Sequence, residues 1–315
     1  MSARMVLSVI VLFSLCPLCL CGESSLERRL SPLAEAHQGK VAIAVKNLDS
    51  RESYYRNADE VMSTASLIKV AVLIELYQQA QEGKVKLTER VTLRRTDKVP
   101  GSGILTDHLS EGTEFSLRDA GRLMIAFSDN TATNLVLERI GIKSVNKCME
   151  EWGYPETRIN AKVFRGSTTS VDPARTRRYG LGSTTAREIA GLLEQVQTSD
   201  RLRPFYKLSV LNHLSKNADK DKFKRFLPDG VVVMHKDGST NDTRTDAGLI
   251  HTPAGIVAVC VLTADNKDHS WRADNAGNLL CARVAKEVYD YFAVRKKVSD
   301  ASQKRPSDNA STKRR

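Results

Sequence analysis

Strand-like segments at the two ends of the chain, with a long helical block between them, constrain the fold more than any other feature. Val41-Ala42-Ile43-Ala44-Val45 and Ser53-Tyr54-Tyr55 have strand character about a turn at Leu48-Asp49-Ser50. Near the other end, residues 231–236, 247–250 and 256–262 read the same way. Between them, segments starting at Ser66, Ser116, Thr131, Ser144 and Thr184 carry helical spacing, several with a Ser or Thr suited to an N-cap. Further helices are expected over residues 26–38, after Asp200, and over 275–294. Strands at both ends imply a discontinuous domain whose first and last segments share one sheet, with the middle helices as a second lobe.

At 315 residues and 41% hydrophobic composition, the chain can bury one substantial core or two adjoining lobes. Arg4 and the apolar residues 5–13 read as a secretory signal, too short and too interrupted by Pro17 for a membrane span. The signal is placed at 1–22, and an exported, periplasmic or extracellular protein is expected. Cys21 raises the question of lipid attachment, but Leu20 before it is a poor fit to the small residue such a site favours.

Of six cysteines, Cys148, Cys260 and Cys281 remain after the signal. Cys260 and Cys281 could pair in an oxidising compartment, or all three could be buried thiols, which is the simpler expectation. The six histidines form no His-x-x-x-His pair, so no metal or other cofactor is expected. Much of the +11 charge sits at the end, where eight basic residues from Arg295 onward face only Asp300 and Asp308. Residues 299–315 lack apolar content and read as a disordered basic tail, either solubilising or drawn to an anionic envelope surface. Export argues against nucleic acid as a partner, and a monomer is expected.

Three short strings carry chemistry. Ser66-Leu67-Ile68-Lys69 opens a helix that is apolar nearly all round, and Ser128-Asp129-Asn130 and Lys236-Asp237-Gly238 follow in that order. Serine three residues before lysine puts both side chains on one helix face. Burial of that helix would disfavour the charged lysine, so Lys69 could take the Ser66 proton. Each string alone is ordinary. Ser144 and Lys147 repeat the first spacing without an apolar helix, and the other two strings could be a helix cap and a strand-to-turn transition.

As an ordered set the strings resemble those of the penicillin-recognising serine enzymes, and in particular class A β-lactamases. Asn134 in the helix after the second string, Gly101-Ser102-Gly103 in the loop before it, which reads first as a turn and otherwise as a lip of the site, and Arg244 after the third string extend the similarity over roughly residues 26–298. The resemblance implies an α/β fold of the α+β sandwich kind: an antiparallel sheet flanked by helices, beside an all-helical lobe. On that reading residues 23–298 form the catalytic domain, with 23–60 and 200–298 in the sheet lobe and 61–199 in the helical lobe. It also implies roles. Ser66 is the nucleophile, Lys69 its base and Ser128 the proton donor to the leaving group, with Lys236 supplying positive potential. Asn130 would bind the substrate amide, Gly238 and Ser239 the substrate edge, and Arg244 a carboxylate. The amides of Ser66 and Ser239 would stabilise the oxyanion.

Two departures stand out. Class A β-lactamases place a water-activating glutamate in the loop after the helix near Glu150, but residues 157–171 contain no acid; Glu156 and Asp172 flank the gap. That stretch and the residues just after it are instead basic, and read as a solvated loop or a receiver of an anionic substrate. Asp237 stands where the family offers a hydroxyl, and an anion there opposes a second anion unless it is paired with Arg244. The expected function is a secreted serine hydrolase opening a β-lactam or related amide, with slow deacylation. The alternatives are a D-alanyl-D-alanine carboxypeptidase or esterase acting on a peptidoglycan-like substrate, and a non-catalytic wall-binding protein.

Overall fold

The computed structural model describes residues 25–303. The expectations for the signal and for residues 304–315 lie outside the described residues. Helix α1 (Ser25–Glu35) leads into strands β1 (Lys40–Asn47) and β2 (Ser53–Arg56), paired as the expected hairpin with Lys46 opposite Ser53. Strands β3 (Val233–Ser239), β4 (Arg244–Thr252) and β5 (Gly255–Ala264) come from the far end of the chain. All five form one antiparallel sheet in the order β2-β1-β5-β4-β3, with Ala44 of β1 opposite Cys260 of β5. The two ends of the chain therefore share the sheet.

The continuous apolar run of β5 follows from burial on both faces. Val257, Val259 and Val261 face α1 and the last helix (Ala276–Gln303), while Ala258, Cys260 and Leu262 face the helical block. The same alternation puts Cys260 and Cys281 on opposite sides of the sheet, and Cys148, Cys260 and Cys281 are buried free thiols. The last helix extends to Gln303, past the expected end at Val294 and into the segment read as tail, because nothing between Val294 and Gln303 is a helix breaker.

The helical block is built round α2 (Lys69–Gln81), in which every residue from Lys69 to Tyr77 is buried. Truncating one of these core leucines, such as Leu73, would cost about 2–5 kcal/mol. Around it pack α3 (Leu117–Ala126), α4 (Asn130–Ile140), α5 (Ile142–Glu151), α6 (Ala186–Thr198) and α7 (Pro204–Ser215). Ser116 caps α3 through a reciprocal pair with Asp119, and Thr185 caps α6. Asp129 of the second string caps α4, and the start of α5 differs from expectation, with Gly141 rather than Ser144 preceding it. Lys147 lies exposed on α5 beside Glu151, as a solvated residue should.

Candidate active site

Ser66 lies in a short 3-10 turn (Ala65–Ile68) that runs directly into α2. The turn begins at strain: Ala65 has φ +46°, a left-handed conformation costing about 1–3 kcal/mol in a non-glycine residue. The cost is met by ties on both sides. Thr64 N–H donates to Gly182 O at 3.0 Å, and Thr245 Oγ1 donates to Thr64 O at 3.0 Å. Ser66 is half-buried, and among the described residues its hydroxyl has no hydrogen-bond partner. Its amide is among the first of the turn and so points its N–H out of the helix end.

One turn on, Lys69 is fully buried. Its Nζ donates to Ser128 O at 2.6 Å and Asn130 Oδ1 at 2.9 Å, with Ser128 Oγ at 3.2 Å. Burial, aided by the positive charge of Lys236, holds its pKa well below the usual lysine range against the opposing pull of Asp129 and Asp237. A neutral amine has two N–H groups and one lone pair. The two obligate acceptors, Ser128 O and Asn130 Oδ1, use the N–H groups and leave the lone pair for a hydroxyl proton.

Asp129 explains why Ser128 and Asn130 point where they do. Its Oδ1 accepts from Ala132 N–H as the cap of α4, and its Oδ2 accepts from Ile104 and Leu105 N–H at 2.7 and 2.9 Å. The cap reading and the site reading of this string therefore both hold. Asn130 N–H reaches Ser102 O, and its Nδ2 reaches Pro100 O, so the 100–105 loop is stitched to α4. Gly103, at φ +126°, is required here, since a Cβ would lie 2.3 Å from Asp129 Cγ. Ser128 itself has φ +52°, a second strained residue at the site.

The edge strand β3 closes the other wall. Gly238 packs so closely against the nucleophile turn that a Cβ there would lie 2.6 Å from Thr64 O and 2.9 Å from Leu67 N. Lys236 is fully buried, but its Nζ bonds to Asp237 O at 2.7 Å and Asp237 Oδ1 at 2.8 Å rather than to Ser128. Asp237 also accepts from Asn217 Nδ2 at 3.0 Å and pairs with Lys222 at 3.4 Å. Burial alone would raise the Asp237 pKa, but Lys236 and Lys222 pull it well below the usual carboxylate range. Its counterions are thus these two lysines, not Arg244.

Arg244 is buried, donating from Nη1 to Thr243 O and Thr240 O and from Nη2 to Ser270 O at 2.6 Å. Its guanidinium carbon sits 4.9 Å from the centre of the Trp271 ring. The expected carboxylate fork is therefore engaged with backbone carbonyls in this structure.

Ser66, Ser102, Asn130, Val163, Phe164 and Ser239 line one cleft of about 370 Å³, with Trp271 at its edge. The loop expected to be solvated is folded. It carries a helical turn (Gly166–Thr169) and a short helix (Pro173–Tyr179), and Arg158 and Arg175 are paired with Glu150 and Glu156. Asn134 holds it from below, donating to Val163 O at 3.0 Å and accepting from Val163 N–H at 2.8 Å. The loop thus presents an aliphatic side chain, Val163, to the cleft.

Neither flanking acid replaces the missing carboxylate. Glu156 is bound to Arg175, Asp172 caps the Pro173–Tyr179 helix, and neither lines the cleft. Sequence reasoning missed Val163, Phe164, Trp271 and the Lys222–Asn217 support of Asp237. For Val163 alone a signal existed, in Asn134 as the anchor of the loop.

Comparison with known proteins agrees with this geometry. A model of the beta-lactamase enzyme family matches residues 25–292, and the chain belongs to that family. A β-lactamase of Bacillus licheniformis is 27% identical over 241 residues, covering 75% of this chain and 75% of that protein. A β-lactamase structure from Sphaerobacter thermophilus is 27% identical with a TM-score of 0.74, covering 85% of this chain and 98% of that one. The structure of a protein named PBP-A is 25% identical with a TM-score of 0.72, covering 85% and 96%.

Proposed function

We propose that the protein is a class A-like serine hydrolase that opens a β-lactam or a related amide through an acyl-enzyme on Ser66. The observation that carries this reading is a Ser66 hydroxyl that lines the cleft with no hydrogen-bond partner among the described residues, one helical turn before a buried Lys69 whose Nζ also reaches Ser128 Oγ. In acylation, Ser66 Oγ attacks the carbonyl carbon and its proton passes to Lys69 Nζ. As the C–N bond breaks, Lys69 returns a proton through Ser128 Oγ, 3.2 Å away, to the leaving nitrogen. The Ser66 and Ser239 amides face the developing oxyanion, and Asn130 and Gly238 border the bound amide.

Hydrolysis of the ester then needs an activated water, and Val163 offers no base for it. Deacylation is slow. The same observation favours a second reading, a D-alanyl-D-alanine peptidase or esterase sharing this acylation apparatus. The apolar start of the chain supports export, with the protein acting as a monomer and its basic end drawn to an anionic envelope. The test is peptide mapping after exposure to penicillin. The adduct is expected on Ser66 and absent from Ser66→Ala; an adduct on Ser128 or Ser144 overturns the assignment.

A further inference from the structure

A substrate docked against Ser66 meets few cations free to bind an anionic group. Lys162 is the one cation among the residues lining the cleft, and its Nζ lies 3.6 Å from Glu138. Behind the cleft, Lys69 is engaged with Ser128 and Asn130, and Arg244 with backbone carbonyls beside Trp271. Arg178 belongs to a neighbouring hollow that also contains Glu60, Asp242 and Asp265.

Lys236 is the remaining candidate. Asp237 holds it at 2.8 Å, and Asp237 is itself fixed from behind by Asn217 and Lys222. Lys222 is in turn bound to Asp219 at 2.9 Å, so this chain of charges is closed on itself. A second carboxylate brought to Lys236 would face the Asp237 carboxylate across one ammonium, and like charges at that range repel. What the cleft offers instead is apolar area, with the exposed rings of Phe164 and Trp271 at its rim.

We infer that a substrate carboxylate at the Ser239 end of the cleft gains no charge-assisted contact from Lys236, because Asp237, held by Lys222 and Asn217, already occupies that lysine. The inference rests on the acylation reading given above. Asp237 acts as a positioning residue through Lys236. Its effect is on selectivity between charged and neutral substrates, which a merely structural role would leave unmoved.

The test compares acylation rates for a penicillin and for its methyl ester, in which the carboxylate is neutralised. The wild type should treat the two within about tenfold, because no charge-assisted contact separates them. Asp237→Thr should shift the ratio toward the free acid by about ten- to a hundredfold, the worth of one charge-assisted hydrogen bond. Asp237→Asn, which keeps the shape while removing the charge, should shift it the same way. A wild type favouring the free acid by more than about tenfold, or variants whose ratio moves by less than that, overturns the inference and leaves the acylation reading standing. Acylation of Ser66 by neither compound removes the acylation reading itself.

Discussion

Replacing Gly238 by Ala tests whether the contact between the edge strand and the nucleophile turn sets catalysis. The added methyl would lie 2.6 Å from Thr64 O, 2.6 Å from Thr245 Oγ1 and 2.9 Å from Leu67 N, so two of its three closest neighbours are backbone. Thr64 cannot easily yield, because Gly182 O and Thr245 Oγ1 hold it on either side. Relief therefore requires β3 and the turn to part by roughly 0.8 Å, the shortfall from ordinary van der Waals contact.

Overpacking of this kind costs about 1–3 kcal/mol, which a domain of ordinary stability survives. Misplacing catalytic groups by about 1 Å costs about a hundredfold in rate. Gly238→Ala should therefore remain folded by circular dichroism, with a lowered urea midpoint, while acylation by a fluorescent penicillin in stopped flow slows about a hundredfold. Acylation within about threefold of wild type would mean that the turn and the strand need not touch, and would refute the argument.

Val163→Glu should hasten decay of the penicillin adduct, by less than the hundred- to ten-thousandfold of a fully positioned base. Unchanged decay would mean that position 163 does not address the acyl ester. Acylation should depend on neutral Lys69: with its pKa well below the usual lysine range, the rate should reach its plateau well below that range and fall as acid protonates the amine. A pH–rate profile rising only near the ordinary lysine pKa would contradict this. His213 is buried against Tyr77 OH, and burial lowers its pKa to about 4. Its unfolded pKa is higher, so its contribution to stability is full above about 6.5 and is lost as pH falls through about 4, amounting to roughly 3 kcal/mol. Urea unfolding of wild type and His213→Gln at pH 7 and pH 4 measures it; parallel losses would exclude His213 as a source.

The shared sheet and the central helix were legible because hydrophobic patterning is local. The run 256–262 announced a strand buried on both faces, and the apolar helix after Ser66 announced its place in the core. Ser66 and Lys69 were legible from one helix face, whereas the meeting of Lys69 with Ser128 and Asn130, 59 and 61 residues away, was legible only through the resemblance of the ordered strings. What the strings could not convey was partnership across long separations. Arg244 stood at a plausible position in sequence, yet its donors are taken by Thr240, Thr243 and Ser270, which only the folded loops bring together. Asp237 likewise gave no hint that Lys222, fifteen residues away, would be its second counterion. The stretch 157–171 and the residues just after it looked solvated by charge count; Arg177 and Arg178 are exposed, but Arg158, Arg165 and Arg175 meet acids and a carbonyl outside that stretch.

Time-resolved intact-mass measurement with penicillin tests the central claim most directly. Acylation at Ser66 through Lys69, with Val163 in place of a water-activating acid, predicts one adduct per chain that forms quickly, accumulates and decays slowly, and that Ser66→Ala never forms. Rapid turnover with no adduct at steady state would contradict the account.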